Sequence, residues 1–119
     1  METFRFRNFP VYQEAKQLFR EIVKLSKSFP REYWELADQM RRCALSICLN
    51  IAEGSAKRSD KDFNRFIENS LGSANELMAC LDISYDALLL SNQFFVDYEI
   101  RIGEITKQLG GLSRKLRSS

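Results

Sequence analysis

The chain has 119 residues, 45% of them hydrophobic and 29% charged, a composition typical of one globular domain that excludes a disordered or low-complexity chain. Its net charge of +2 is too small to identify a nucleic-acid-binding protein by itself. No apolar run approaches the roughly 20 residues that span a bilayer, and the first residues lack the apolar centre of a secretion signal, so we expect a cytoplasmic protein with no membrane partner.

The first half of the chain contains two segments whose apolar residues recur at alternating steps of three and four, the spacing of one helix face. The first predicted helix covers about 11–28. It ends at Phe29-Pro30 because proline disfavours helix at the preceding residue and cannot donate a hydrogen bond. The second covers about 32–53 and is expected to end at Gly54, a residue suited to the left-handed position after a helix.

The second half contains two more helices. Ser59 and Asp62 have the spacing of a capping box, in which the serine hydroxyl accepts a hydrogen bond from a free backbone amide of the first turn. A third helix is therefore predicted over about 60–91, with an apolar stripe that continues to Leu88. A fourth helix follows over about 96–116.

Short connections between successive helices make them antiparallel neighbours, so the sequence predicts an all-α fold, an up-down-up-down four-helix bundle crossing at about 20°. The bundle is expected to be one domain over residues 1–119, with a short N-terminal arm over 1–10. Facing residues on the second and third helices should have numbers that sum to about 114. This register places Cys80 near Trp34 and keeps the three thiols apart as buried, inert side chains.

Histidine is absent, which removes the commonest general base and metal ligand, and no glycine-rich loop follows a strand. We therefore expect no enzymatic activity, no cofactor and no metal. A weaker alternative is a carboxylate metal site, since Glu53, Glu68 and Glu76 all belong to the two central helices.

Basic residues near the predicted turn between the second and third helices are suited to holding a phosphate backbone. The N-terminal arm alternates further basic residues with phenylalanines, a composition suited to stacking on unpaired nucleobases. The alternative is that these bases lie on solvated helix faces, with Arg42 pairing with Asp38. The nucleic-acid-binding candidates are Arg41, Arg42, Lys57, Arg58, Lys61, Arg65, Arg5 and Arg7.

Four apolar residues lie off the main stripes of the central helices, and such surfaces commonly mark contacts between subunits. The phenylalanines of the arm have two alternatives, the open end of the bundle or a neighbouring subunit. The candidates for an oligomer interface are Leu45, Leu49, Leu71, Met78, Phe4 and Phe6.

A further set of residues is interpreted as structural. Asn50 and Glu53 are expected to cap the turn, with Glu53 close enough to the Arg58–Arg65 segment to organise it by charge-assisted hydrogen bonds. The small residues from Gly72 to Ala74 are unfavourable in mid-helix and are interpreted as packing positions that another backbone approaches. The whole set is Asn50, Glu53, Gly54, Gly72, Ser73 and Glu76.

Three blocks carry a resemblance to a known family: RRCALSICLNIAEG at 41–54, Lys57-Arg58-Ser59, and GSANE at 72–76. They resemble the four-helix-bundle proteins encoded in intervening sequences of bacterial 23S ribosomal RNA genes. The resemblance implies a cytosolic homopentamer without enzymatic activity and with a proposed role in binding RNA or other nucleic acid. The chain is more distantly similar to the accessory protein of diversity-generating retroelements, which assists a reverse transcriptase.

Two hypotheses follow. The first is a non-enzymatic homo-oligomeric bundle that binds RNA or single-stranded nucleic acid through phosphate contacts with little base specificity. The alternative is a protein-interaction scaffold or accessory subunit of a larger enzyme of the polymerase type, with an apolar contact surface.

Overall fold

A computed structural model describes residues 3–119, and within them the chain forms four α-helices joined by short connections, with no strand. The helices are α1 (Pro10–Ser26), α2 (Trp34–Ser55), α3 (Asp60–Asp86) and α4 (Asn92–Arg117), with single 3-10 turns at Arg5–Asn8 and Arg31–Tyr33. Each helix packs on the next and α4 returns to α1, so the predicted antiparallel four-helix bundle is confirmed. The bundle measures 45 × 23 × 19 Å, and the α2–α3 pair forms its most extensive interface. In the described part of the chain no helix combines the length and the hydropathy that a membrane span requires.

The core is built from the apolar stripes that the sequence predicts. Its fully buried large side chains are Leu18, Ile22, Met40, Ile47, Ile51, Ile67, Leu77, Leu81, Ile105 and Leu109. Two buried serines are satisfied by carbonyls, since Ser70 Oγ donates to the Ile47 oxygen at 2.9 Å and Ser84 Oγ donates to the Cys80 oxygen at 2.7 Å. The Ser70 bond joins α3 directly to the backbone of α2.

The prediction that α2 ends at a left-handed Gly54 is wrong. The helix continues to Ser55, and no glycine of the described residues has a positive φ. Gly54 is required for packing instead, because a Cβ at this position would lie 2.8 Å from Phe66 Cβ and 2.9 Å from Phe63 Cδ1. The missing side chain lets α3 lie directly against the backbone of α2.

The start of α3 is as predicted, with Ser59 Oγ accepting a hydrogen bond from the Asp62 amide at 3.1 Å. The end of α3 differs from the prediction, since the helix stops at Asp86. Leu88 lies beyond it, 90% exposed, with a φ of 65°. The Leu89 amide bonds the Ser84 oxygen at 2.9 Å and the Leu88 amide bonds the Tyr85 oxygen at 3.0 Å, which are the two bonds of a Schellman motif. The motif forms here with leucine at the position that glycine usually occupies.

The last helix begins at Asn92 rather than about 96, because Ser91 acts as its N-cap and accepts a hydrogen bond from the Phe94 amide at 3.1 Å. It then continues through Gly110 and Gly111 to Arg117. The first helix ends at Ser26, two residues earlier than predicted.

The register of α2 and α3 differs from the prediction. The hydroxyls of Ser46 and Ser73 meet at 2.8 Å and Cys43 Sγ lies 3.6 Å from Glu76 Oε2, so facing numbers sum to 119 rather than about 114. Side chains of a helix tilt toward its N-terminus, and antiparallel neighbours therefore meet through residues further along both helices. Cys80 consequently lies beside the Cys43 thiol and not near Trp34, so the prediction that the thiols are kept apart is wrong.

Gly54→Ala should destabilise the protein by about 1–3 kcal/mol, because the new methyl group overlaps atoms of α3 that are fixed close to its backbone. The matched control is Gly103→Ala, where an added Cβ meets nothing within 4 Å and the better helix propensity should stabilise by up to about 1 kcal/mol. Denaturant unfolding of both variants measures the difference. Equal stabilities for the two variants would contradict this role of Gly54.

The three cysteines should react slowly in the folded protein. All are buried and free, and burial is the main cause that raises the pKa of Cys43 and Cys48 from 9.0 to about 11. At about pH 8 an aromatic disulfide reagent should modify Cys43 and Cys48 roughly 100-fold more slowly than in denaturant, since about two units separate their folded and unfolded pKa values. Native rates equal to those in denaturant would be inconsistent with this packing.

The same shift predicts a pH dependence of stability. Between pH 9 and 11 the unfolded chain loses thiol protons that the folded chain keeps, so the free energy of unfolding should fall as the pH rises through this window. Replacing Cys48 by Ala should reduce that fall, which pH-dependent denaturation of the two proteins would measure. An unchanged slope would show that Cys48 does not contribute.

Candidate nucleic-acid interface

The turn between α2 and α3 presents three basic side chains to solvent. The backbone amides of Ala56 and Lys57 bond the Glu53 and Gly54 oxygens at 3.2 and 3.0 Å and close the turn tightly. Lys57, Arg58 and Lys61 are exposed, and within residues 3–119 none of them forms an ion pair. Their charges are therefore free to meet an anionic ligand.

An aromatic ring lies under part of this turn. Lys57 Nζ lies 4.9 Å and Arg65 Cζ 5.7 Å from the centre of the Phe66 ring, so two cations flank one half-buried aromatic side chain. Arg65 also lies 3.8 Å from the carboxylate of Asp62, an exposed pair that contributes little to stability. The ring restricts where the two cations lie.

Arg5 is brought to this end of the bundle but is largely engaged by the protein. Its Nε and Nη2 donate to the Ser55 carbonyl at 3.2 and 3.0 Å, and its guanidinium lies 5.4 Å from the centre of the Phe63 ring. The arginine thus caps the C-terminus of α2, where the helix dipole favours a cation. Arg7 is exposed, and its carbonyl accepts a hydrogen bond from Gln13 Nε2 at 3.0 Å.

Arg41 and Arg42 do not join the basic turn. They lie fifteen to sixteen residues before Lys57 along the chain, which is about 22 Å of helix, and Arg41 Nη1 donates to Ser26 Oγ at 2.9 Å. Both arginines share Asp38, at 3.5 and 2.9 Å. The hydrogen bond from Arg42 is the largest cause that lowers the pKa of the Asp38 carboxyl.

The sequence interpretation missed three bases at the C-terminal end of α4, Arg114, Lys115 and Arg117, all exposed. The antiparallel fold returns this end of α4 to the start of α3, where Ser113 Oγ donates to Asn64 Oδ1 at 2.6 Å. The signal available in the sequence was the block of five bases after residue 100, which only the topology connects to the turn. We call the combined surface the basic end; it consists of Lys57, Arg58, Lys61, Arg65, Arg114, Lys115 and Arg117.

The opposite end of the bundle is different in character. Four large apolar side chains are at least half exposed there, from the start of α2, the end of α3 and the start of α4, and Arg31 lies 5.2 Å from the Trp34 ring. We call this surface the apolar end; it consists of Trp34, Ile83, Leu88 and Phe94. Its presence was not predicted, because Leu88 was assigned to the core stripe.

The predicted oligomer-interface residues lie on separate surfaces. Leu45 and Leu49, 41% and 56% exposed, lie on the outward face of α2. Leu71 and Met78 are partly buried against the core. In the arm, Phe4 is 56% exposed, whereas Phe6 packs edge-on against Tyr12 at 4.9 Å.

The predicted structural residues divide in a similar way. Asn50 Nδ2 donates to the Ser46 carbonyl at 2.9 Å and to its hydroxyl at 3.0 Å, so it acts within α2. Glu53 is exposed beside Leu49, and within residues 3–119 it forms no ion pair with the basic turn. The close approach predicted at Gly72 is absent within the chain, since an added Cβ would meet nothing within 4 Å.

The carboxylates considered as metal ligands are not assembled for that purpose. Glu76 Oε2 accepts a hydrogen bond from Cys43 Sγ at 3.6 Å, and Glu68 Oε1 accepts one from Asn64 Nδ2 at 3.3 Å. Across the described residues no three carboxylates or thiols form a group that could hold a metal ion.

Comparison with known proteins identifies the family of the chain. No curated protein matches the chain, and no comparison supports the more distant likeness to the retroelement accessory protein. The model of the family described as 23S rRNA-intervening sequence protein matches residues 7–111, and the chain therefore belongs to that family.

Proposed function

We propose that this protein is a non-enzymatic homo-oligomer that binds RNA or single-stranded nucleic acid through phosphate contacts with little base selectivity. The observation that carries the proposal is the basic end, where bases from two separate parts of the chain converge on one surface. Lysine and arginine contacts to phosphates supply affinity and orientation without reading sequence. Membership of the family described as 23S rRNA-intervening sequence protein is consistent with an RNA ligand but names no particular RNA.

The basic end is not purely positive. Asp60 and Asp62 occupy the first turn of α3, and a hydroxyl of the C-terminal Ser119 donates to the Asp60 carboxylate. One copy therefore provides a modest field, in keeping with the net charge of +2 per chain. A closed ring of identical subunits repeats the basic end around an axis and raises the local potential.

The outward face of α2 is the surface we assign to self-association. Leu45 and Leu49 are one turn apart and line a groove with Arg42, Asn50 and Glu53. Neighbouring α3 exposes the bare backbone of Gly72, which leaves room for another chain to approach closely. An apolar centre with a polar rim is the usual anatomy of a subunit contact.

The apolar end favours a second candidate function, that of a scaffold or accessory subunit that binds a larger nucleic-acid enzyme. Trp34 and Leu88 are 58% and 90% exposed, and tryptophan is among the residues that contribute most binding energy at protein interfaces. A protein partner recovered in high salt after nuclease treatment, and lost with Trp34→Ala together with Leu88→Ser, would favour this function over nucleic-acid binding.

The first prediction concerns salt. Binding of a structured RNA at low salt should weaken steeply as salt rises, and Lys57→Gln, Arg58→Gln, Lys61→Gln and Arg65→Gln together should reduce the slope of log affinity against log salt by roughly 3. Fluorescence anisotropy measures both quantities.

The matched control is Arg41→Gln, which removes an arginine that already pairs with Asp38, about 24 Å of helix from the turn. It should change the slope by less than about one unit. Failure of the wild-type protein to bind RNA at low salt would disprove the proposed function.

The second prediction concerns assembly. The mass in solution should be a multiple of 13.9 kDa after nuclease treatment, about 70 kDa for the pentamer that the sequence resemblance implies. Leu45→Glu with Leu49→Glu should lower the mass to that of one chain without unfolding it, because both side chains are exposed in the single chain. Light scattering after gel filtration measures the mass.

Leu88→Glu serves as the control for this experiment, since Leu88 is exposed at the apolar end, away from the middle of α2. It should leave the assembly intact. A wild-type mass of 13.9 kDa at micromolar concentration would rule out the proposed homo-oligomer.

A further inference from the structure

The outward face of α1 carries a row of bases that neither the turn nor the family motif includes. Lys16, Arg20, Lys24 and Lys27 follow one another at steps of four, four and three residues, and all four are exposed. This spacing keeps them on one side of the helix over eleven residues, about 16 Å. At 3.6 residues per turn the four side chains lie within about 80° of one another around the helix axis, and all are exposed in the single chain.

The acidic residues of α1 do not neutralise this row. Glu21 is turned toward α4, where it pairs with Arg101, and Glu14 accepts a hydrogen bond from Gln108 of the same helix. No ion pair within residues 3–119 involves any of the four bases. By contrast, Arg41, Arg42, Arg65 and Arg101 each have an acidic partner.

Like charges four residues apart repel one another on a helix, so this arrangement weakens α1 in the isolated chain. Lys16 finds some compensation, with its Nζ 5.2 Å from the centre of the Tyr12 ring. An external polyanion would relieve the repulsion and release the counterions that the row attracts.

The row leads toward the basic end through the N-terminal arm. Gln13 lies one turn before Lys16 and bonds the carbonyl of Arg7, which places the arm against the first turn of α1. Arg5, two residues before Arg7, donates hydrogen bonds to the Ser55 carbonyl at the end of α2. We call the resulting line of bases the α1 track; it consists of Arg7, Lys16, Arg20, Lys24 and Lys27.

We propose that the α1 track binds the phosphodiester backbone of a strand whose other part is held by the basic end, an inference that rests on the proposed function. Lysine and arginine side chains on the surface of one helix contact phosphate and sugar, and such contacts do not select sequence. Gln13 and Gln17 lie on the same face and supply amide donors between the cations. The bound strand is consequently longer than the basic end alone requires.

The test compares single-stranded oligonucleotides of about 6 and about 20 nucleotides, lengths that one site and a site with an extension accommodate. The variant carries Lys16→Gln, Arg20→Gln, Lys24→Gln and Lys27→Gln. It should bind the longer strand at least about tenfold more weakly, with the salt slope reduced by roughly 3, and the shorter strand within about twofold of wild type.

A charge-keeping variant, with Lys16→Arg, Arg20→Lys, Lys24→Arg and Lys27→Arg, should bind both lengths as wild type does. Thermal unfolding should show that the glutamine variant is folded, because it removes only exposed, mutually repelling side chains.

Three outcomes would overturn the α1 track. The first is that the glutamine variant binds the longer strand with unchanged affinity and salt slope. The second is that the glutamine variant loses assembly mass, which would make this face a subunit contact. The third is that the protein binds phosphatidylserine vesicles more tightly than the longer strand. If wild type binds RNA and the glutamine variant is identical to it, the track alone fails. If wild type binds neither length, the proposed function fails with it.

Discussion

The contact of Gly54 with Phe63 and Phe66 determines how α2 meets α3, and the position of the basic end depends on it. Without a Cβ at residue 54, the Phe63 ring and the Phe66 Cβ pack directly against the backbone of α2. The cationic groups of Lys57 and Arg65 lie 4.9 and 5.7 Å from the centre of the Phe66 ring. The Phe63 ring lies beside the guanidinium of Arg5. A packing constraint in the core therefore also places cations on the surface.

The bundle has two ends of opposite character. Bases from the α2–α3 turn and from the end of α4 collect at one end, while large apolar side chains are exposed at the other. With two more bases than acids in the chain, the separation of charge matters more than its total. The apolar surface on α2 lies between the two ends, so the self-association proposed above would leave both of them accessible.

Much of the fold follows from the sequence, because the helices are amphipathic and their core stripes repeat at helical spacing. The cap at Ser59 was also predictable, since it depends on residues three apart. The end of α3 before Leu88 was not predictable, because a Schellman motif normally has glycine at the position that this leucine occupies. The role of Gly54 depends on two phenylalanine side chains from another helix, which the local sequence does not reveal.

The candidate site was predictable only in part, for a similar reason. Lys57, Arg58, Lys61 and Arg65 are close in sequence and stay close in the structure. Arg41 and Arg42 were grouped with them although a helix carries them about 22 Å away, and Arg114 to Arg117 were left out although the topology brings them near. Charge blocks become a surface only after the register and order of the helices are known.

Hydrogen exchange of the protein with and without a bound RNA oligonucleotide tests the central claim most directly. The account predicts slower exchange at the α2–α3 turn over 56–66 and at the C-terminal end of α4, the two segments that form the basic end. Protection confined to the apolar end, around 33–35 and 83–95, would contradict it and move the function to the opposite end of the bundle.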